Sequence, residues 1–121
     1  MRSLLIFILL TSASFSVFAQ EQAVIVHFYN YGSKDLTRLF ALEDKLEKAI
    51  TKSGVGEYDG NEIAVDGSDG FLYMYGPDAD RLFLVVKPIL EETPFTKGAD
   101  VTKRYGPPES STKEAHVIIA H

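Results

Sequence analysis

Ala23-Val-Ile-Val-His-Phe-Tyr29 is the stretch on which the fold turns. Val24, Val26 and Phe28 fall on one side of an extended chain, and Ile25, His27 and Tyr29 on the other. β-Branched and aromatic residues suit a pleated backbone, and apolar character on both sides predicts a central strand. Downstream, Asn30 to Asp35 is a turn with helix-start chemistry, Ser33 or Asp35 being able to cap. A helix then runs to about Lys52 with Leu39, Leu42, Leu46, Ala49 and Ile50 as its apolar stripe, and Gly54 stops it. Glu57 to Val65 reads as a second strand, broken or bulged at Asp59-Gly60-Asn61. Asp66-Gly-Ser-Asp-Gly70 is a hairpin loop signal, followed by a third strand, Phe71-Leu-Tyr-Met-Tyr75.

Gly76-Pro77 ends that strand, and Asp78 caps a second helix from Ala79 to about Glu92. Its stripe is Leu82, Phe83, Val86, Ile89 and Leu90, and Pro88 is predicted to kink it or end its regular part. Ala99 to Tyr105 and Glu114 to Ala120 read as fourth and fifth strands, separated by a polar loop. The order β-α-β-β-α-β plus one strand predicts an α+β, ferredoxin-like sandwich. Its sheet is antiparallel with both helices on one face, strands one and three are central, and a C-terminal fifth strand is added.

Upstream, Met1 to Ala19 carries one charge, Arg2, then an apolar run from Leu4 to Leu10 and small residues ending in Ala19. This is the pattern of a secretory signal peptide, too short for a comfortable span and without a lipid-bearing Cys. The expectation is a protein secreted to the bacterial periplasm, with residues 20–121 as one domain and no stable membrane anchor after cleavage. Cleavage removes one base and no acid, taking the formal charge from -5 to -6. The absence of Cys excludes disulfides, zinc-thiolate sites and a cysteine nucleophile. The acidic balance argues against a nucleic-acid partner.

Gly56-Glu-Tyr-Asp-Gly-Asn-Glu62, Asp66-Gly-Ser-Asp-Gly70 and Tyr73-Met-Tyr-Gly-Pro-Asp-Ala-Asp80 together resemble a family of small bacterial proteins with no assigned activity. The likeness runs from about Val24 to Gly106. It implies a compact α+β fold and supplies no catalytic residue.

Four features bear on function. From Ser53 to Asp80 there is no Lys or Arg, while Glu57, Asp59, Glu62, Asp66, Asp69, Asp78 and Asp80 are acidic. A field of one sign attracts cations or a basic partner, although Asp-Gly pairs also form turns and Asp78 caps a helix. Asp59, Asn61, Glu62, Asp66 and Asp69 are therefore candidate binding residues. The hairpin fails as an EF-hand, because positions six and twelve from Asp66 are Phe71 and Pro77, so only weak divalent-cation binding is open to it. No metal site or cofactor is expected.

The aromatic residues are the third feature. Period-two alternation groups Phe71, Tyr73 and Tyr75 on one side of their strand and Leu72 with Met74 on the other. Leu and Met suit the helix-packed side, so the aromatic set is expected on an open face beside His27 and Tyr29. An exposed aromatic face implies a protein or small-molecule ligand, or a homodimer packed back to back, unless a chain end covers it or the strand faces the other way. Histidine is the fourth. His27 is a candidate acid/base for a small enzyme with its pocket on the sheet, with Tyr29 or Tyr73 as hydrogen-bond donor. His116 and His121 are five apart, which argues against a local two-histidine metal site. No nucleophile elbow, phosphate loop or dinucleotide fingerprint occurs. The leading expectation is a binding or interaction module without catalytic activity.

Overall fold

A computed structural model describes residues 21–121; the leader expected at 1–19 lies outside the described residues. The chain runs β1 (Gln22–Tyr29), α1 (Thr37–Ser53), β2 (Glu57–Ile63), β3 (Asp69–Gly76), α2 (Ala79–Glu92), a 3-10 turn (Pro94–Thr96), β4 (Asp100–Arg104) and β5 (Glu114–Ile118). The fold is α+β, with two helices and one five-stranded antiparallel sheet in the order β2-β3-β1-β4-β5.

Burial alternates along the central strands as the sequence pattern predicts. Val24, Val26 and Phe28 of β1 are buried with Leu72 and Met74 of β3 and Val101 of β4. They form one core with Leu39, Leu42, Leu46 and Ile50 of α1 and Leu82, Phe83, Val86 and Leu90 of α2. Of the expected stripes, Ala49 and Ile89 sit at the margin, half-buried. Gly54 ends α1 in the left-handed conformation at φ 66°, and Asp78 caps α2 by accepting from the Arg81 N–H at 3.1 Å. At the start of α1 the capping group sits one residue early. Asp35 Oδ1 accepts from Thr37 N at 2.9 Å, although Leu36 occupies the cap position itself.

Some boundaries differ from the sequence expectation. β2 ends at Ile63 rather than Val65, and β3 begins at Asp69 rather than Phe71. The hairpin is closed by Ala64 N donating to Asp69 O at 2.9 Å, with a turn closed by Gly67 N to Ala64 O, which leaves Val65 93% exposed. The predicted bulge in β2 is present as a register shift between Tyr58 and Gly60. β4 and β5 are each a residue or two shorter at their ends than expected. Pro88 does not end its helix. It lies on the exposed side, as does Leu84 four residues earlier, so the carbonyl deprived of a partner is on the side open to water.

Candidate functional site

The second face of the sheet carries alternating residues that the core does not absorb. Antiparallel register places them in rows across the strands. Glu62, Phe71, His27, Asp100 and Ile118 form one row; Gly60, Tyr73, Ile25, Thr102 and His116 form the next; Glu57, Tyr75, Ala23, Arg104 and Glu114 form the third. Apart from the small Gly60 and the buried Ala23, these side chains are half-buried or exposed, with Ile118 reaching 61%.

His27 is the centre of a polar chain within this face. Its Nε2 lies 2.7 Å from Asp69 Oδ2, and the Tyr29 hydroxyl lies 3.0 Å from its Nδ1. A carboxylate only accepts, so in the neutral ring Nε2 carries the hydrogen and Nδ1 accepts from Tyr29. The imidazole also stacks on Phe71, with centroids 4.1 Å apart and planes 13° apart, and Phe71 in turn stacks near Tyr73 at 6.1 Å. The Tyr73 hydroxyl donates to Glu62 Oε1. That bond, with partial burial, pushes the Tyr73 phenol up to about 12, because ionising it would set a phenolate against a carboxylate. Tyr75 is also raised, by burial first and then by the negative field of Asp59.

Local backbone bonds fix this constellation. Asn30 N donates to Ser68 O at 2.8 Å and Gly32 N to Gly67 O at 3.0 Å, tying the β2–β3 turn to the exit of β1. Asp69 is thereby held opposite Tyr29, and its carboxylate reaches His27 from the neighbouring strand. Gly70 leaves room for Phe28: a Cβ there would lie 2.5 Å from Phe28 Cζ.

His27, Tyr29, Phe71, Tyr73, Glu62 and Asp69 thus come together as a single cluster. Tyr75 lies on the same face, two positions along β3 from Tyr73, with Asp59 near it. Two other candidates do not join. Asn61 turns its amide to Glu43 Oε2 at 2.9 Å, the same oxygen that accepts from Tyr58 at 2.6 Å, so it braces β2 against α1. The Ser68 side chain, and then its N–H at 2.9 Å from Asp66 Oδ1, hold the Asp66 carboxyl below the usual range within the turn. Asp66 and Asp69 therefore serve different partners. Among the described residues, no group of three or more His, Cys, Asp or Glu side chains is arranged to hold a metal ion.

On the far side of the same face, Asp100, Thr102 and Glu114 join His116 without any local sequence motif marking them. Asp100 is the register partner of His27 on β4, and its buried Oδ1 has no hydrogen-bond donor among the described residues. His116 Nδ1 lies 3.2 Å from Thr102 Oγ1 and 3.7 Å from that Asp100 oxygen, and its Nε2 lies 3.7 Å from Glu114. Period-two alternation carries the signal for these residues, but using it requires knowing that β4 borders β1.

A shallow depression of about 230 Å³ opens on this face, lined by Glu62, Ile63, Asp69, Gly70 and Phe71. A cleft of about 210 Å³ beside the helices is lined instead by residues such as Arg38, Leu42, Ile89 and Phe95, and contains none of the clustered polar groups. Compared with family models, curated proteins and solved structures, the chain finds no match.

Proposed function

We propose that this protein is a small binding module and that the half-exposed sheet face is its binding surface. The observation that carries it is the stack of His27, Phe71 and Tyr73, standing beside the exposed Tyr29 on a face the core leaves uncovered. Aromatic side chains offer large contact area at small entropic cost, and contiguous exposed apolar surface marks interaction sites. The order β2-β3-β1-β4-β5, with both helical stripes in one core, supports the ferredoxin-like sandwich with its helices on a single face and the aromatic face open. Export directed by residues 1–19 is part of the same proposal, and N-terminal sequencing of the mature protein tests it.

Native mass spectrometry of protein obtained by expressing the full chain tests the surface. A bound species should be retained and then released by Tyr73→Ala/Tyr75→Ala with the circular dichroism spectrum intact. Retention unaffected by that double change would place the occupied surface elsewhere.

One observation favours a second reading, a small enzyme using His27 as acid/base. The chain Tyr29–His27–Asp69 fixes the imidazole tautomer and orients the ring, which is the support a general base needs. His27→Gln should abolish any turnover found for the protein, and full turnover in that variant would end the catalytic reading.

A further inference from the structure

We propose that the half-exposed face docks an arginine-rich polypeptide segment, with one guanidinium seated between Glu62 and Asp69 against the Phe71 ring. This rests on the reading of that face as a binding surface and names the chemistry of its occupant.

Charge is the first argument. Register and contacts place Glu57, Asp59, Glu62, Asp69, Asp100 and Glu114 on or beside this face, against a single guanidinium among the described residues, Arg104. The cationic side chains of the neighbouring strand and loop are occupied away from it. Lys103 pairs with Asp80 at 3.0 Å and lies over Phe83, and Lys113 lies over Tyr105. Two copies of the protein meeting through this face would bring like fields together, and a nucleic acid would meet the wrong sign. A cationic partner meets the complementary one.

The depression supplies the second argument. Glu62 uses Oε1 to accept from Tyr73, and Asp69 uses Oδ2 for His27. Among the described residues, Glu62 Oε2 and Asp69 Oδ1 take no side-chain hydrogen bond, and both residues line the same depression as Phe71. A guanidinium is planar, carries five donors and is weakly hydrated, so it can stack on an aromatic face while bonding carboxylates at its edge. An ammonium offers no such plane. Asp100, whose Oδ1 has no hydrogen-bond donor among the described residues, adds a further carboxylate on the row of His27.

Shape is the third. Five strands about 4.8 Å apart make a face roughly 19 Å wide, which an extended segment of about six residues spans. The depression is shallow and its lining residues come from two strands and their turn, a form suited to one side chain of a longer ligand.

Fluorescence anisotropy with a labelled nona-arginine peptide, on protein from the full chain, provides the test. Saturable binding is expected, with affinity reduced about tenfold by Glu62→Gln/Asp69→Asn and, separately, by Phe71→Leu. Neutralising two acids on α1, by Asp44→Asn/Glu47→Gln, should change it by less than about twofold, and nona-lysine should bind more weakly than nona-arginine. Glu62→Gln alone guards against misfolding of the Asp69 variant and should also weaken binding. Equal losses from the face pair and the helix pair would reduce the effect to bulk charge and overturn the proposal, as would no binding at all. If Tyr73→Ala/Tyr75→Ala releases a retained species in native spectra while nona-arginine fails to bind, the face remains a binding surface and its basic-peptide specificity is refuted.

Discussion

Tyr73 and Glu62 form a bond whose pH dependence is open to direct measurement. The Tyr73 phenol is held up to about 12 by the Glu62 carboxylate and by partial burial. Its folded value lies above the unfolded value of about 10, so the neutral hydroxyl stabilises the fold at every pH below the unfolded value. That contribution disappears as the pH climbs through the folded value. Phenolate absorbance should therefore show late-titrating tyrosines, Tyr58 and Tyr73 among them, and Tyr73→Phe should remove one of them. Glu62→Gln should bring it back toward the ordinary range; an unchanged titration in that variant would mean the hydrogen bond is absent in solution. At this scale the sequence was partly legible. Alternation alone puts Phe71, Tyr73 and Tyr75 on one side with His27 and Tyr29, and their half-exposed placement follows that grouping. For Asp69 and Asn61 a local rule describes part of the role and the tertiary contacts add the rest. Asp69 looks like a turn former yet begins a strand and bonds His27, and Asn61 looks like an acidic-loop ligand yet braces a helix.

Among the elements, the β2–β3 hairpin is the one on which the site depends. It carries Glu62, Asp69, Phe71 and Tyr73, and its turn is pinned to the end of β1. Gly70 sits where that hairpin meets Phe28, and a methyl group there would press on both the Phe28 ring and Glu62 O at 2.9 Å. Gly70→Ala should cost about 1–3 kcal/mol by overpacking and displace Asp69 from His27, read as a lower denaturation midpoint in urea. Glu43 provides the other brace, accepting from both Tyr58 and Asn61 across the α1–β2 contact. Burial, then that hydrogen bond, pushes the Tyr58 phenol far above its usual range. Glu43→Ala strands a half-buried hydroxyl and an amide, and should lower stability by about 1–2 kcal/mol. The helices and strands were legible because helical and strand periods differ and Gly54 and Asp78 mark boundaries chemically, whereas the 3-10 turn at Pro94–Thr96 has no period to reveal it. Turn limits were not, since Val65 favours a strand yet lies in the turn and Asp69 favours a turn yet begins a strand, and the backbone bond from Ala64 N to Asp69 O overrides both preferences.

At the scale of the whole molecule, the sequence has no Cys to add a disulfide, and the described residues are held by a core of aliphatic and aromatic side chains. Leu46 is fully buried at its centre, and Leu46→Ala should remove about 2–5 kcal/mol, a large share of the 5–15 kcal/mol typical of a domain this size. Sidedness is the functional consequence. The core saturates one face of the sheet, while rings and carboxylates remain half-exposed on the other, and the proposed binding surface is that remainder. Hydroxyl-radical footprinting, comparing protein in the cells that express it with the same protein purified, tests occupancy of the face most directly. Tyr29, Phe71 and Tyr73 should be oxidised less in the cell than after purification, while exposed Phe40 and Val65 are oxidised equally in both. Equal oxidation of all five residues in both states would show a face that nothing occupies, contradicting its role as the binding surface.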